Sequence, residues 1–181
     1  MRVGSTLRSR RRFFLPGIGR SPQPSSMHCS THVPSSYICT HTEDLLPSWK
    51  CPVASVLIVL QFSACDLRDH TAATEAEKQK LRQQFLAFGS TVVNRLRQFG
   101  YQTELFDPKT GLPTLSPPGT LHLDDVAVVR DCLGYPTQGQ CGCSVILHPT
   151  WGAAVYPSVL LSSAPPELVR WVTEDMVARG G

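Results

Sequence analysis

A long amphipathic segment between Glu75 and Phe99 constrains this chain more than any other feature. Leu81, Phe85, Phe88, Val92, Leu96 and Phe99 recur at spacings of three and four, which puts them on one stripe of a helix. A helix of that length runs about 37 Å. Its apolar stripe needs a sheet or a second helix to cover it. Thr74 and Glu77 have the spacing of a capping box, in which a hydroxyl and a carboxylate satisfy early backbone N–H groups. Gly100 follows as a natural terminator.

Around this helix the sequence predicts short strands. Cys51 to Phe62 is rich in Val, Ile and Leu and reads as a buried strand. Tyr101 to Phe106 reads as another, followed by the turn residues Asp107-Pro108-Lys109-Thr110-Gly111 and a returning segment, Leu112 to Leu115. Leu121 to Leu133 predicts a short helix, with Asp124 and Asp125 early and Gly134 at its end. Cys143 to His148 alternates, with Cys143, Val145 and Leu147 on one face and Ser144, Ile146 and His148 on the other. A turn at Pro149–Gly152 leads to Ala153–Ser162, expected to be its hairpin partner, where Pro157 argues for an edge or a bulge. A closing helix carries Leu168, Trp171, Val172 and Met176 and ends at Gly180. The expected fold class is α+β, with two layers and a mainly antiparallel sheet with packed helices.

Charge divides the chain. Arg2, Arg8, Arg10, Arg11, Arg12 and Arg20 precede the first acid, Glu43, so the small overall excess of +3 belongs to the amino-terminal segment. Residues 1–37 are Arg- and Ser-containing and free of acids, which is the composition of a mitochondrial transit peptide; a disordered extension or a mis-assigned start fits it equally. The folded domain is expected over 38–181 and is mildly acidic. It has no basic stripe for nucleic acid, and no apolar run reaches the roughly 18 residues of a membrane span.

Seven cysteines, an odd number, with no signal-peptide core before them, suggest reduced thiols inside a cell. Cys141-Gly142-Cys143 is the sharpest chemical feature. Two thiols beside a Gly-rich loop suit a soft metal or redox chemistry, but the residues alone favour two small buried apolar residues beside a turn. His28, Cys29, His32, Cys39, His41 and Cys51 are dense in metal-ligating types, yet their spacings match no standard zinc module. His148 and Trp151 flank a turn, as a structural His and a packing or contact Trp. No phosphate-binding, dinucleotide-binding, nucleophile-elbow or zincin signature occurs.

Taken together and in order, several of these segments resemble one family. FDPKTGL (Phe106–Leu112), Thr120-Leu121, Arg130, LGY (Leu133–Tyr135) and CGCSVILHPTWG (Cys141–Gly152) are similar to the MMADHC, or CblD, family of cobalamin-trafficking proteins. The upstream YICTHTEDLL (Tyr37–Leu46) fits more loosely. The resemblance covers about residues 38–165. It implies a flavin-reductase or nitroreductase-like scaffold without flavin, and an adaptor rather than an enzyme. It implies no cofactor bound by the chain itself, but cobalamin shared with an MMACHC-like cobalamin-binding partner, without nucleic acid or membrane insertion. Delivery to methionine synthase in the cytoplasm and methylmalonyl-CoA mutase in the mitochondrion would follow. The expected cobalt-facing and partner-facing residues are Cys141, Gly142, Cys143, His148 and Trp151. The family's cobalt-binding Cys is the first of an adjacent pair. Aligned without gaps from Trp151, its place is Gly142, and Cys143 matches the second Cys. The resemblance therefore points to Cys141 as ligand only through a one-residue loop adjustment. A thiol- or flavin-dependent reductase on the same scaffold, and an interaction module without cobalt ligation, are the alternatives.

Overall fold

A computed structural model describes residues 27–140 and 143–179. Its main sheet has four antiparallel strands: β1 (Met27–His32), β2 (Ser55–Phe62), β3 (Thr103–Leu105) and β6 (Val155–Ser162), in the order β1-β2-β6-β3. A separate two-stranded sheet joins β4 (Thr137–Gln140) to β5 (Cys143–Ile146). The helices are α1 (Ser36–Leu45), α2 (Ala72–Gln98), α3 (Asp125–Leu133) and α4 (Pro166–Arg179).

The helices cover both faces of the sheet. On one face, Val56, Ile58 and Leu60 of β2 pack with Ile38 and Leu45 of α1 and Val128 and Val129 of α3. On the other, Leu57 and Val59 pack with Phe85, Val92 and Leu96 of α2 and Val169 and Val172 of α4. The molecule is α+β as expected, with three layers rather than two. The reason lies in β2 itself. Its residues 55–61 are all buried, and a strand apolar on both sides must be covered on both. Each fully buried Leu, Ile, Val or Phe contributes about 1.5–3 kcal/mol relative to exposure.

The long helix starts earlier than its sequence suggests. Thr71, not Thr74, is the N-cap and accepts from the Thr74 N–H at 3.1 Å. Thr74 is buried, and Glu77 turns to the Ala64 N–H and to Lys80 instead of closing a capping box. Leu81, Phe85, Val92 and Leu96 form the expected buried stripe, whereas Phe99 projects into solvent against Trp171. Gly100 follows with φ 86°, the left-handed conformation that lets its N–H reach the Arg97 carbonyl.

Order begins before residue 37. Strand β1 pairs along its whole length with β2, from Met27↔Gln61 to His32↔Val56. Its alternation sends Met27 and Cys29 toward the α2–α4 core. Residues 1–26, on which most of the expected transit peptide falls, lie outside the described residues. Strand β6 does not pair with β5. It inserts between β2 and β3, because the eight-residue apolar β2 offers it a fully buried neighbour. The returning segment after the Asp107 turn makes one bridge, Phe106↔Pro113, rather than a strand.

That turn is built by side chains. Asp107 accepts from Arg82 through both carboxylate oxygens, at 2.6 and 2.7 Å, and from the Lys109 N–H at 3.0 Å. The Arg82 guanidinium holds the Asp107 carboxyl below the usual carboxylate range. Gly111 closes the turn at φ 67°; a side chain there would strike the Leu123 carbonyl, since the Gly111 carbonyl accepts from the Leu123 N–H. Behind the turn, the buried Glu104 gathers three backbone N–H groups, of Leu105, Thr114 and Leu115, on one carboxylate oxygen.

Candidate functional site

The β4–β5 hairpin and the turn that follows it form the candidate site. Strand β4, TQGQ, has no apolar pattern and was expected as loop. Its last described pair with β5 is Gln140↔Cys143. Cys141 and Gly142 stand between these two residues in sequence and lie outside the described residues. Cys143 opens β5, placing its backbone at the end of a paired strand. The expectation that Cys141 is the metal-facing thiol therefore falls on a position without structural description.

The far end of β5 is well defined. Ile146 and His148 are buried, as their shared face predicts. The chain then closes on itself: the His148 N–H donates to the Gly152 carbonyl at 2.8 Å and the Gly152 N–H returns to the His148 carbonyl at 2.9 Å. Gly152 has φ 55°, so the tight turn favours glycine there. The His148 ring completes the turn. Its Nδ1 accepts from the Thr150 N–H at 3.1 Å and the Trp151 N–H at 3.2 Å. Two donors on Nδ1 fix the tautomer: a neutral His148 carries its proton on Nε2. Burial, and secondarily the neighbouring His28, pushes the His148 pKa down, so the neutral ring that the turn needs is the favoured one.

An aromatic group gathers around this corner. His148 stacks on Trp151 with ring centroids 4.3 Å apart and 18° between planes. His28, from β1, lies 4.4 Å from Trp151 on centroids. Phe62 meets Trp151 edge-on at 5.8 Å, and Tyr135 meets His148 edge-on at 5.5 Å. Phe62 is 44% exposed and His28 is exposed, while His148 is only 6% exposed. The cluster thus has a buried polar anchor and an exposed aromatic rim. Rings with a hydrogen-bonded base and an open face suit recognition of a flat or apolar partner surface.

Sequence reasoning selected His148 and Trp151, and the structure brings them together. It missed His28, Phe62 and Tyr135. Phe62 carried no signal beyond its type, and Tyr135 stood out only as the end of the LGY motif. His28 did carry one, since β1 alternates and places it opposite Met27 and Cys29, but it lay in a segment read as tail.

The other thiols have different surroundings. Burial pushes Cys29 up to about 11. Burial, then the Asp131 charge, raises Cys132. Such thiols resist ionisation and are poor soft donors near neutral pH. Cys51 donates to Gln102 Oε1, and Cys39 is exposed on α1. Among the described residues no three His, Cys, Asp or Glu side chains converge on a metal-sized site. The dense His and Cys types of residues 28–51 are instead spread over β1, α1 and the loop before β2. No described helix is long and apolar enough to cross a membrane.

Comparison with known proteins identifies the family. The family model described as methylmalonic aciduria and homocystinuria type D protein, MMADHC, matches residues 20–172. The match takes in β1, which the sequence resemblance did not reach. The chain is 26% identical over 125 residues to the cobalamin trafficking protein CblD of Homo sapiens, covering 69% of this chain and 42% of that protein. It is 22% identical over 142 residues to CblD of Mus musculus, covering 78% of this chain and 48% of that protein. The matched region thus spans less than half the length of these relatives. With most of the chain matched by one family model, from the first strand to the last helix, the chain belongs to the MMADHC family.

Proposed function

We propose that the chain is an adaptor in intracellular cobalamin trafficking. It docks on an MMACHC-like cobalamin-processing protein and presents a cysteine thiolate to the cobalt of the cobalamin that the partner holds. Delivery is to methionine synthase or methylmalonyl-CoA mutase, in the cytoplasm or the mitochondrion. The observation that carries this reading is the family match over residues 20–172, which spans the sheet, the aromatic corner and the hairpin in one piece. On this reading the antiparallel sheet is a flavin-reductase or nitroreductase-like scaffold put to carrying rather than to catalysis, and the chain binds no cofactor of its own.

The physical division of labour is simple. The aromatic rim of His28, Phe62 and Trp151 offers the docking surface. The hairpin sequence carries Cys141 and Cys143. Cys141 is the donor: its thiol gives its proton to solvent, and a sulfur lone pair enters the cobalt coordination sphere, with no change in oxidation state. Thiolate is a soft donor suited to that metal, and a partner-enclosed site keeps competing thiols away.

The test is gel filtration of the full chain with cob(II)alamin-loaded partner, with absorbance recorded across the visible. Co-elution and a changed cobalamin spectrum are expected. Trp151→Ala weakens co-elution about tenfold or more, as loss of a central aromatic anchor does. A wild-type chain that neither co-elutes nor alters the spectrum ends the adaptor reading.

A second reading rests on Gly142, which stands where the family pattern has its first Cys. On that reading the chain is an interaction module without cobalt ligation. Docking then survives Cys141→Ser together with Cys143→Ser, and the cobalamin spectrum never changes.

A further inference from the structure

The unpaired backbone of the main sheet lies in three places, and two of them are protected. Strand β3 is three residues long, and the returning segment closes its outer side: the Thr114 N–H donates to the Leu105 carbonyl at 2.9 Å, and Phe106 bridges to Pro113. Residues 155–158 of β6 have β2 on one side and no strand on the other, and Pro157, with no N–H to offer, stands there. The edge formed by β1 has no such protection. Met27–His32 pairs with β2 at six consecutive positions, without a bulge, a proline or a Lys, Arg, Asp or Glu. Sheets ordinarily blunt a free edge with one of those devices.

The ladder shows which backbone groups this edge presents. In an antiparallel sheet, successive residues point their N–H and C=O groups to alternate sides. The Phe106 N–H donates to the Val159 carbonyl, so the odd residues of β6 face β3 and the even ones face β2. The Ser63 N–H donates to the Ala154 carbonyl at 3.0 Å, in the same phase. Along β2, Leu57, Val59 and Gln61 therefore bond to β6, and Val56, Ile58 and Leu60 bond to β1. Their opposites on β1 are His32, Ser30 and His28. Met27, Cys29 and Thr31 are left with their backbone groups facing outward. Among the described residues nothing pairs with the N–H and C=O groups of Cys29 and Thr31. These two donors and two acceptors repeat at about 7 Å, the two-residue repeat of an extended chain.

The edge runs into the aromatic rim. His28 belongs to both: it stands in β1 between Met27 and Cys29, and its ring lies 4.4 Å from Trp151 on centroids. A strand laid along β1 therefore passes the rim at the His28 end. A second copy of this chain does not meet both features. Two β1 strands paired about a twofold axis at Ser30 would set the His28 of each against the His32 of the other. The two rims would then stand about 13 Å apart along the strands, each uncovered.

We propose that β1 takes up an extended segment of the cobalamin-holding partner as a fifth strand of the main sheet, bonded to the backbone of Cys29 and Thr31. The proposal rests on the adaptor reading above and specifies how the partner is gripped. The segment that fits has no proline at the two positions that meet Cys29 and Thr31. It carries an apolar or aromatic side chain where it passes His28 and Trp151. The main-chain bonds supply affinity, and the rim selects that side chain.

Amide hydrogen exchange of the full chain, read residue by residue with and without the cob(II)alamin-loaded partner, tests this. In the free chain Ser30 and His32 should exchange slowly and Cys29 and Thr31 fast. The partner should slow Cys29 and Thr31 about tenfold or more and leave Ser30 and His32 as they were. Thr31→Pro removes one outward N–H and should weaken co-elution about tenfold, whereas Thr31→Val keeps that N–H and should bind as the wild type does. Far-UV circular dichroism checks that both fold, and the exchange measurement needs neither. Co-elution with Cys29 and Thr31 still exchanging fast overturns the edge proposal and leaves the adaptor reading standing. No co-elution ends the adaptor reading and this docking mode with it. Slow exchange of the two amides in the dilute free chain would mean that the chain covers its own edge. Slowing that grows with the concentration of the chain alone would place a second copy there. Either result overturns the proposal, as does undiminished binding of a folded Thr31→Pro.

Discussion

The four-stranded sheet and the β4–β5 hairpin are both antiparallel β-structure, and they are stabilised in opposite ways. Strand β2 is buried from Ser55 through Gln61 and is covered on both faces by helices. Strand β4 has no apolar residue, and Thr137, Gln138 and Gly139 are exposed. A lone two-stranded ribbon is marginal in water, so the hairpin depends on what it leans against. Ile146 reaches the core beneath α3, and the His148 turn locks its far end. The difference shows where a chain like this can place chemistry: a covered sheet fixes geometry, and a lightly held ribbon at its margin is free to meet a partner.

The sharpest way to break that contrast is to remove an anchor of the covered sheet. Phe85 is fully buried between α2 and the strands. Phe85→Ala should cost about 3–5 kcal/mol in denaturant unfolding, through lost burial and the cavity left behind. Val145→Ala, on the half-buried hairpin, should cost under about 1 kcal/mol. Equal losses at the two sites would refute the division.

Next in size is Glu104, whose buried carboxylate holds the N–H groups of Leu105, Thr114 and Leu115. Glu104→Ala removes the acceptor shared by the Leu105 and Leu115 N–H groups, while the Thr114 N–H keeps the Leu105 carbonyl, and should cost about 2–3 kcal/mol in the same measurement. Glu104→Gln retains an acceptor oxygen and should cost less. A neutral effect of Glu104→Ala would mean that water replaces the carboxylate freely.

The smallest expected effect is confined to the corner beside the hairpin. His148 has its pKa lowered in the fold, so in the window between its folded and unfolded values the unfolded chain binds more protons. The stability contributed by a neutral His148 is therefore complete above about pH 6.5 and is lost as pH falls through the folded value. Protonation places a proton on Nδ1, which then repels the Thr150 and Trp151 N–H groups. Trp151 fluorescence, sensitive to the stacked ring, should change across that window while far-UV circular dichroism stays flat. His148→Asn should abolish the fluorescence transition. A transition that persists in the variant would assign it to another group.

Much of the covered sheet was legible in the sequence. The apolar run of β2, the stripe of α2, the left-handed Gly100 and Gly134, and the α3 start at Asp124 all follow from local rules. The third layer was also written there, because Val56, Ile58 and Leu60 on one side of β2 and Leu57 and Val59 on the other demand two covers. What local rules could not supply was partner choice. A turn between two strand-like runs suggests a hairpin of β5 and β6, yet β2 offers β6 more burial. Strand β1, MHCSTH, is polar because it lies at an edge and owes its place to β2. The aromatic corner was half legible: His148 and Trp151 are near in sequence, while His28 arrives from the far end of the chain.

The central claim is that the lightly held hairpin delivers a sulfur to cobalt. The most direct measurement is the visible difference spectrum of partner-bound cob(II)alamin on adding the full chain, as wild type, Cys141→Ser and Cys143→Ser. The account predicts a spectral change with the wild type and with Cys143→Ser, and its loss with Cys141→Ser while co-elution with the partner persists. An undiminished change with Cys141→Ser would contradict it.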